Sequence, residues 1–343
     1  AGARSYLGGN ITRSPLEFVD SADAEHTVVL ELASFQLGDL TLTPGGIDVL
    51  TPRVAMITGI FRDHLDYYGS MEEYVADKRL IYAAQGSDGW TIARDDEWGR
   101  SFLAGTRARR AVVSDTRPAG SGAAGGRVEA STRDERFEAS AFFEGPVGIA
   151  RVADREEEVV PEELLVPGVH MRRNLLAAAL ACRLLGVPAR AVREAVSEYA
   201  GIDHRLELVT EREGVRFYND SAATIPEAAL EAVSAFDAPI HLIAGGTDKN
   251  IDFSPFAQIG RRVEGLYLLE GTAAEAITAA VARGGRRAPV GPFSSLEEAV
   301  HAAAKAARRG EIVMLSPGCA SFGMFQNEFD RGRQFRELVR ALR

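Results

Sequence analysis

The chain has 343 residues, 46% of them apolar and 26% charged, enough to bury a full core in about two domains, which excludes a disordered segment or a peptide-sized scaffold. A formal net charge of -10, with 39 Lys and Arg dispersed along the chain, argues against a nucleic-acid surface, which needs a clustered basic face, but leaves small anionic ligands open. Two distant cysteines, Cys182 and Cys319, in no metal-ligand spacing exclude a secreted disulfide framework; with no membrane-length apolar run and no signal pattern, a cytoplasmic protein is expected.

Ala1-Gly2-Ala3-Arg4 leads straight into an apolar, turn-terminated stretch, Ser5 to Asn10, with no initiator methionine, so the expectation is a piece of a longer polypeptide. Thr27 to Leu32 and Val54 to Thr58 are short, β-branched and followed by polar loops, the pattern of buried parallel strands. Ser70, with Glu73 three residues on, reads as the N-cap of a helix over 70–84 whose apolar side carries Tyr74, Leu80 and Ile81. Between about 88 and 165 come short strand-like pieces, 91–93, 111–114 and 137–143, with a Gly/Ala-rich interruption at 119–126; the region reads as a β-rich insertion with a long surface loop. An Ala/Leu-rich helix over 174–186 ends at Gly186 before Pro188, a second follows over 188–200, and Gly201 to Arg205 reads as a hinge. Strands at 215–218, 240–244, 265–269 and 312–315 then alternate with helical patterns at 225–236, 272–283 and 294–308. A last helix fills 327–342, completing a doubly wound α/β unit of about 140 residues.

Several constellations bear on chemistry. Gly120-Ser121-Gly122-Ala123-Ala124-Gly125 fits G-x-G-x-x-G literally, but Pro118 precedes it and no hydrophobic helix follows, so it reads as a loop. Asp63-His64-Leu65-Asp66 follows the strand at 54–58 and so stands at the carboxyl edge of a parallel sheet, where ligands bind; a solvated loop is the alternative. Glu31 is a carboxylate ending an apolar strand and must be paired, metal-bound or exposed at the edge. If the two strands are neighbours, Glu31 and His64 converge and, with phosphate oxygens, suit Mg²⁺ at a nucleotide site. Farther on, Gly245-Gly246-Thr247-Asp248-Lys249 and Ser316-Pro317-Gly318-Cys319-Ala320-Ser321 each follow a strand of one sheet. Lys249 among backbone N–H groups and serine hydroxyls suits a small carboxylate, unless both loops are ordinary βα turns. Asp220 or Ser221 is placed to cap the helix that begins near Ile225.

Taken in order, Leu7-Gly8-Gly9-Asn10-Ile11, Glu31 to Leu37, Asp63-His64-Leu65-Asp66 with Lys78, His204-Arg205-Leu206-Glu207, Asn219-Asp220-Ser221 with Ala223-Thr224, Lys249 with Asp252-Phe253, and Ser316 to Phe325 with Arg331-Gly332 resemble the Mur ligase family. The resemblance spans nearly the whole chain and is closest to the members that add D-glutamate. It implies a central α/β ATP-binding domain over 1–202, mostly parallel and lacking its first strand and P-loop helix, then a Rossmann-like C-terminal domain over 203–343. It further implies ATP-dependent joining of D-glutamate to UDP-N-acetylmuramoyl-L-alanine through an acyl phosphate, for peptidoglycan precursor synthesis by a cytoplasmic monomer that binds no nucleic acid and no membrane. Carried over by position, Glu31, His64 and a carbamylated Lys78 would serve Mg²⁺ and catalysis. Asn10, Gln36 and His64 would face the uridine-linked substrate, Asn174, Arg205 and Asp220 would contact ATP, and Thr224, Lys249, Ser321 and Phe322 would hold D-glutamate. Without the resemblance, Lys78 is a helix-surface lysine.

The chain departs from the family pattern in places. No G-x-x-x-x-G-K-[ST] occurs in it, so the fragment is expected to be inactive alone. Ala222 stands where a lysine is usual, Met171 replaces one adenine-side asparagine, and Glu328 replaces a common aromatic. Another Mur ligase, a folylpolyglutamate synthase, or a binding protein without catalysis are the competing readings.

Overall fold

A computed structural model of the chain describes residues 4–10, 13–61, 67–118, 137–285 and 288–342. These fall into two compact units, one containing the described residues up to 61, 68–164 and 172–198, the other 165–171 and those from 199 onward.

In the first unit, β1 (Ser5–Gly9) and β2 (Thr27–Glu31) pair in parallel as a sheet of two strands, and α1 (Ser34–Leu40) follows. A second sheet has the spatial order β3 (Val54–Ile57), β4 (Trp90–Arg94), β5 (Arg109–Val113), β6 (Ala139–Glu144), β7 (Val147–Val152), β8 (Arg155–Val160). Its first four strands are parallel and the last two antiparallel. The segment from 88 to 165 is thus rich in strand, and its strands extend the sheet that β3 begins. Between strands lie α2 (Met71–Arg79) and α3 (Glu97–Gly105), whose Tyr74, Val75, Phe102 and Leu103 bury against Ala55, Ile57, Ala93 and Val112. Ser70 caps α2 as expected, its Oγ accepting from Glu73 N–H at 3.2 Å, and the helix tightens into a 3₁₀ turn over Leu80–Tyr82.

The helix predicted from Asn174 starts earlier. α4 (Val169–Leu184) opens directly after Gly168, which takes φ 93°, so His170 to Asn174 share one helical turn. After it comes α5 (Ala189–Ser197). Leu176 and Leu180 of α4 are fully buried, and a Cβ at Gly148 of β7 would lie 2.9 Å from Leu176, so strand and helix meet through the missing side chain.

The prediction that 27–32 is a buried strand fails, and the condition that it neighbours 54–58 is not met. β2 is exposed at every position, Val28, Val29 and Leu30 included, and it pairs with β1, while β3 stands at the rim of the other sheet. Parallel strands are normally covered on both faces, and among the described residues nothing covers β2. Pairing therefore does not bring Glu31 toward the 63–66 loop. His64 and its neighbours, like Gly120 to Gly125, lie outside the described residues.

The second unit is a three-layer α/β sandwich. Its strands are β9 (Glu207–Arg212), β10 (Val215–Asn219), β11 (Ile240–Ala244), β12 (Gly265–Leu269), β13 (Val290–Phe293) and β14 (Ile312–Leu315), in the spatial order β13-β12-β11-β14-β10-β9. All neighbours are parallel except β10 and β9. Helices α6 (Pro226–Ser234), α7 (Phe256–Arg262) and α8 (Ala274–Arg283) pack on Leu242, Leu268 and Met314 of one face. On the other face, α9 (Leu296–Ala306) and α10 (Glu328–Ala341) cover Ile243, Leu269 and Val313. The central strands β11, β12 and β14 are largely apolar because both faces are buried, whereas the edge strands β9 and β13 are partly exposed.

Candidate functional site

In the second unit β11 and β14 are neighbours, yet the helix after β11, α7, packs on one face of the sheet and the helix after β14, α10, on the other. Chains leaving adjacent strands in opposite directions open a crevice at the strands' carboxyl ends, the usual ligand position in such sheets. Backbone bonds knit the loops there together. Gly245 N–H donates to Pro317 O (3.0 Å), Thr247 and Ala320 exchange bonds of 3.0 and 3.2 Å, and Gly318 N–H donates to Ala223 O (2.9 Å). Gly246, at φ 138°, permits this approach: a Cβ there would sit 2.3 Å from Ala320 O.

Six of the expected residues belong to this edge. Thr224 and Lys249 are half-buried, Lys249 in a turn whose Asp248 Oδ1 accepts from Asn250 N–H at 2.6 Å. Ser321 is buried, whereas Phe322 is 60% exposed and its carbonyl accepts from Thr247 Oγ1. Arg205 is exposed on a tight loop between His204 and Leu206, both at positive φ. Asp220 is 4% exposed, with Leu206 N–H donating to Oδ1 (3.0 Å) and Ser316 Oγ donating to Oδ2 (2.7 Å). Burial pushes its carboxyl up to about 7 against these hydrogen bonds and the nearby Arg205 charge.

Asp220 and Ser221 therefore do not cap α6, whose N-cap is Ile225 with Pro226 following. Their polar atoms are used inside the fold: Ser221 Oγ donates to Glu328 O (2.7 Å) and accepts from Arg331 Nε (3.0 Å). Burial pushes the Cys319 thiol up to about 12, which makes it inert packing.

A second network lies beneath Arg205. Glu207 Oε2 accepts from His204 N–H (3.0 Å), Asn219 Nδ2 (3.0 Å) and Arg336 Nη2 (2.9 Å), while Asn219 Nδ2 also stands 2.9 Å from His204 Nδ1. Desolvation lowers the His204 value first, with the Arg336 charge second, and both favour the neutral ring. None of these supporting contacts is visible in the sequence, although His204 and Glu207 flank the expected arginine.

The other expected residues, His64 apart because it lies outside the described residues, belong to the first unit. Asn10 is exposed at the end of β1, its N–H donating to Glu31 O (2.7 Å), and Glu31 is exposed at the end of β2. Gln36 Oε1 accepts from Ala33 N–H (2.8 Å), and the side chain lines an open cleft of about 500 Å³ with Gly9, Arg13 and Leu32. Lys78 Nζ lies 5.5 Å from the Tyr74 ring centroid, a cation–π contact. Asn174 is exposed on α4 and lines a small cleft with Thr58, Ser114, Asp115 and Arg173. Arg173 grips Asp115 there through Nε (2.6 Å) and Nη2 (2.5 Å), a pair that sequence reasoning missed. Among the described residues, no three His, Cys, Asp or Glu side chains are grouped to hold a metal, and no helix is long and apolar enough to cross a membrane.

Comparison with known proteins covers both units. The Mur ligase middle domain matches residues 10–182, and the Mur ligase glutamate ligase domain matches 204–319. The UDP-N-acetylmuramoylalanine–D-glutamate ligase of Symbiobacterium thermophilum is 40% identical over 344 residues, covering 100% of this chain and 70% of that protein. The ligase of the same name from Treponema pallidum is 34% identical, covering 99% of this chain and 73% of the relative. Among solved structures, MurF ligase from Thermotoga maritima in complex with ADP shares the fold at a TM-score of 0.66 and 16% identity, over 98% of this chain and 73% of that one. E. coli FolC in complex with ADP aligns at a TM-score of 0.60 and 18% identity, over 92% and 67%. With both units matched in order and a full-length relative at this identity, the chain belongs to the Mur ligase family, whose members are ATP-dependent amide-forming ligases.

Proposed function

We propose that the chain forms the central and C-terminal parts of a cytoplasmic, monomeric ligase that joins D-glutamate to UDP-N-acetylmuramoyl-L-alanine at the expense of ATP. The observation that carries this reading is the knitted loop edge of the second unit, where Thr224, Lys249 and Ser321 lie on three loops linked by backbone bonds. A cation and two hydroxyls at the carboxyl end of a parallel sheet suit an amino acid with two carboxylates. In this reading they hold D-glutamate with its amine turned toward the acceptor, Phe322 covers it, and alignment rather than covalent work is their contribution. Asn10, Gln36 and His64 face the uridine-linked substrate.

For the nucleotide, the residues divide by accessibility. Asn174 and Arg205 are exposed and fit as direct contacts, whereas Asp220, with both oxygens engaged, supports Arg205 by holding Leu206 N–H. Bound ATP supplies the phosphoryl group that makes the acceptor carboxylate electrophilic. For Mg²⁺, the exposed Glu31 carboxylate is a hard oxygen donor and fits. Lys78 as an ammonium does not, and joins the set with His64 only after carbamylation converts it to an anion. The 343 residues contain no G-x-x-x-x-G-K-[ST] phosphate-binding loop.

The test is phosphate release from ATP by the full-length polypeptide with UDP-N-acetylmuramoyl-L-alanine and a panel of amino acids. Release that requires D-glutamate and is lost in Lys249→Ala is expected. Release supported by a different amino acid but not D-glutamate, or by a folate acceptor, overturns the reading, whereas turnover by the 343-residue chain alone would overturn only the expectation that it is inactive by itself.

A further inference from the structure

Arg331, on the first turn of α10, is the largest fully buried side chain of the described residues, with 0% exposure. Its guanidinium donates from Nε to Ser221 Oγ (3.0 Å), from Nη2 to Ser221 O (2.9 Å) and from Nη1 to Cys319 O (3.2 Å). Every one of these acceptors is neutral, and among the described residues no carboxylate is hydrogen-bonded to Arg331, Glu328 acting on it only through its charge. Burying a cation without a counter-ion is costly, and such charges are normally paired. This one is hydrogen-bonded only to neutral oxygens, with the Glu328 charge as a weaker, unbonded influence.

The acceptors are not scattered. Ser221 lies three residues before Thr224, and Cys319 two residues before Ser321, so one guanidinium fastens two of the loops that carry the candidate amino-acid contacts. The third loop is fastened to the second by the Thr247–Ala320 bond pair, immediately next to Cys319. A planar fork with donors in fixed directions can set such a geometry where an ammonium cannot.

We infer that Arg331 is a positioning residue for the amino-acid half of the site, fixing the loops at 221–224 and 319–321 from beneath and lending a buried positive charge that favours a dicarboxylate ligand. This rests on the proposed function for the identity of that ligand. A tie of this kind acts on one substrate only. The nucleotide contacts proposed for Asn174 and Arg205 receive no hydrogen bond from Arg331.

The experiment compares Arg331→Met, Arg331→Lys and Ser221→Ala with the unaltered full-length polypeptide, measuring kcat and the KM for D-glutamate and for ATP separately. Arg331→Met is expected to raise the KM for D-glutamate by roughly tenfold or more while leaving that for ATP within about twofold. Arg331→Lys, which restores the charge without the fork, is expected to recover part of the loss. Ser221→Ala, which removes one acceptor and keeps the guanidinium, should raise the same KM about threefold and serves if Arg331→Met does not fold. An unchanged KM for D-glutamate in folded variants overturns the inference, and so does an equal rise for both substrates, the mark of a merely structural residue. Absence of D-glutamate-dependent turnover in the unaltered polypeptide instead overturns the functional reading beneath it.

Discussion

Replacing Asp220 by Asn should change how the stability of the second unit depends on pH. The two side chains have the same shape, and Asn can still accept from Leu206 N–H while its amide donates to Ser316 Oγ, whose hydroxyl is free to turn round. What is lost is the ionisation. Asp220 has its carboxyl value raised from 3.8 to about 7 by burial, so the folded protein binds this proton more tightly than the unfolded chain does. A carboxyl raised in this way leaves stability intact below about pH 4 and removes it as pH climbs toward and through 7. At about 1.4 kcal/mol per unit, a shift of about three units amounts to roughly 4 kcal/mol in full, of which about 3 kcal/mol falls between about pH 5 and about pH 8. Urea denaturation followed by far-UV circular dichroism at both pH values, on parent and variant, reads the difference directly. The Asn variant should gain on the parent by that amount as pH rises. A gap between the two proteins that stays constant with pH, or that narrows on the alkaline side, would refute the assignment of a raised value to Asp220.

Gly332→Ala puts a Cβ 2.1 Å from His204 Nδ1, so despite alanine's better helix propensity it should destabilise the second unit by about 1–3 kcal/mol, and His204→Ala in the same chain should relieve it, as judged by thermal melts. Phe102→Ala empties a fully buried position beneath α3 and should cost the first unit about 3–5 kcal/mol in denaturant titration. Ser295 caps α9 by accepting from Glu298 N–H at 3.2 Å, and Ser295→Ala should cost about 1 kcal/mol, while Ser294→Ala next to it should cost little.

The second unit was legible at its inner strands, which are largely apolar and are followed directly by the chemical residues, while the edge strands went unseen, β9 because of Glu207, Glu211 and Arg212 and β13 because of Gly291 and Pro292. Asp220, the loop carrying Lys249 and the loop carrying Ser321 each begin where an apolar run stops, and a parallel sheet places all such points on one edge. In the first unit the same logic weakened. α1 is only seven residues long, and α3 is nine residues with glycines at 99 and 105, which lower helix propensity in a short segment. β7 and β8 were hidden by charge: Arg151 stands opposite Glu156 across the hairpin, and charged residues at adjoining strand positions read as loop until the pairing is known. Arg331 shows the limit most clearly. Within Asp330-Arg331-Gly332-Arg333-Gln334 it looks like one more solvated arginine, and only the packing of α10 distinguishes it from Arg333, which remains exposed.

Strand β2 has one more consequence, for handling the molecule. Thr27-Val28-Val29-Leu30 is short, β-branched, free of proline and uncharged, with both faces and one ladder edge open. Such a segment is a template for another chain's backbone, and Glu31 with His26 are the flanking residues that oppose it by charge and polarity. Self-association of the 343-residue chain should therefore begin here, rise with concentration, and fall when Val29 is replaced by lysine.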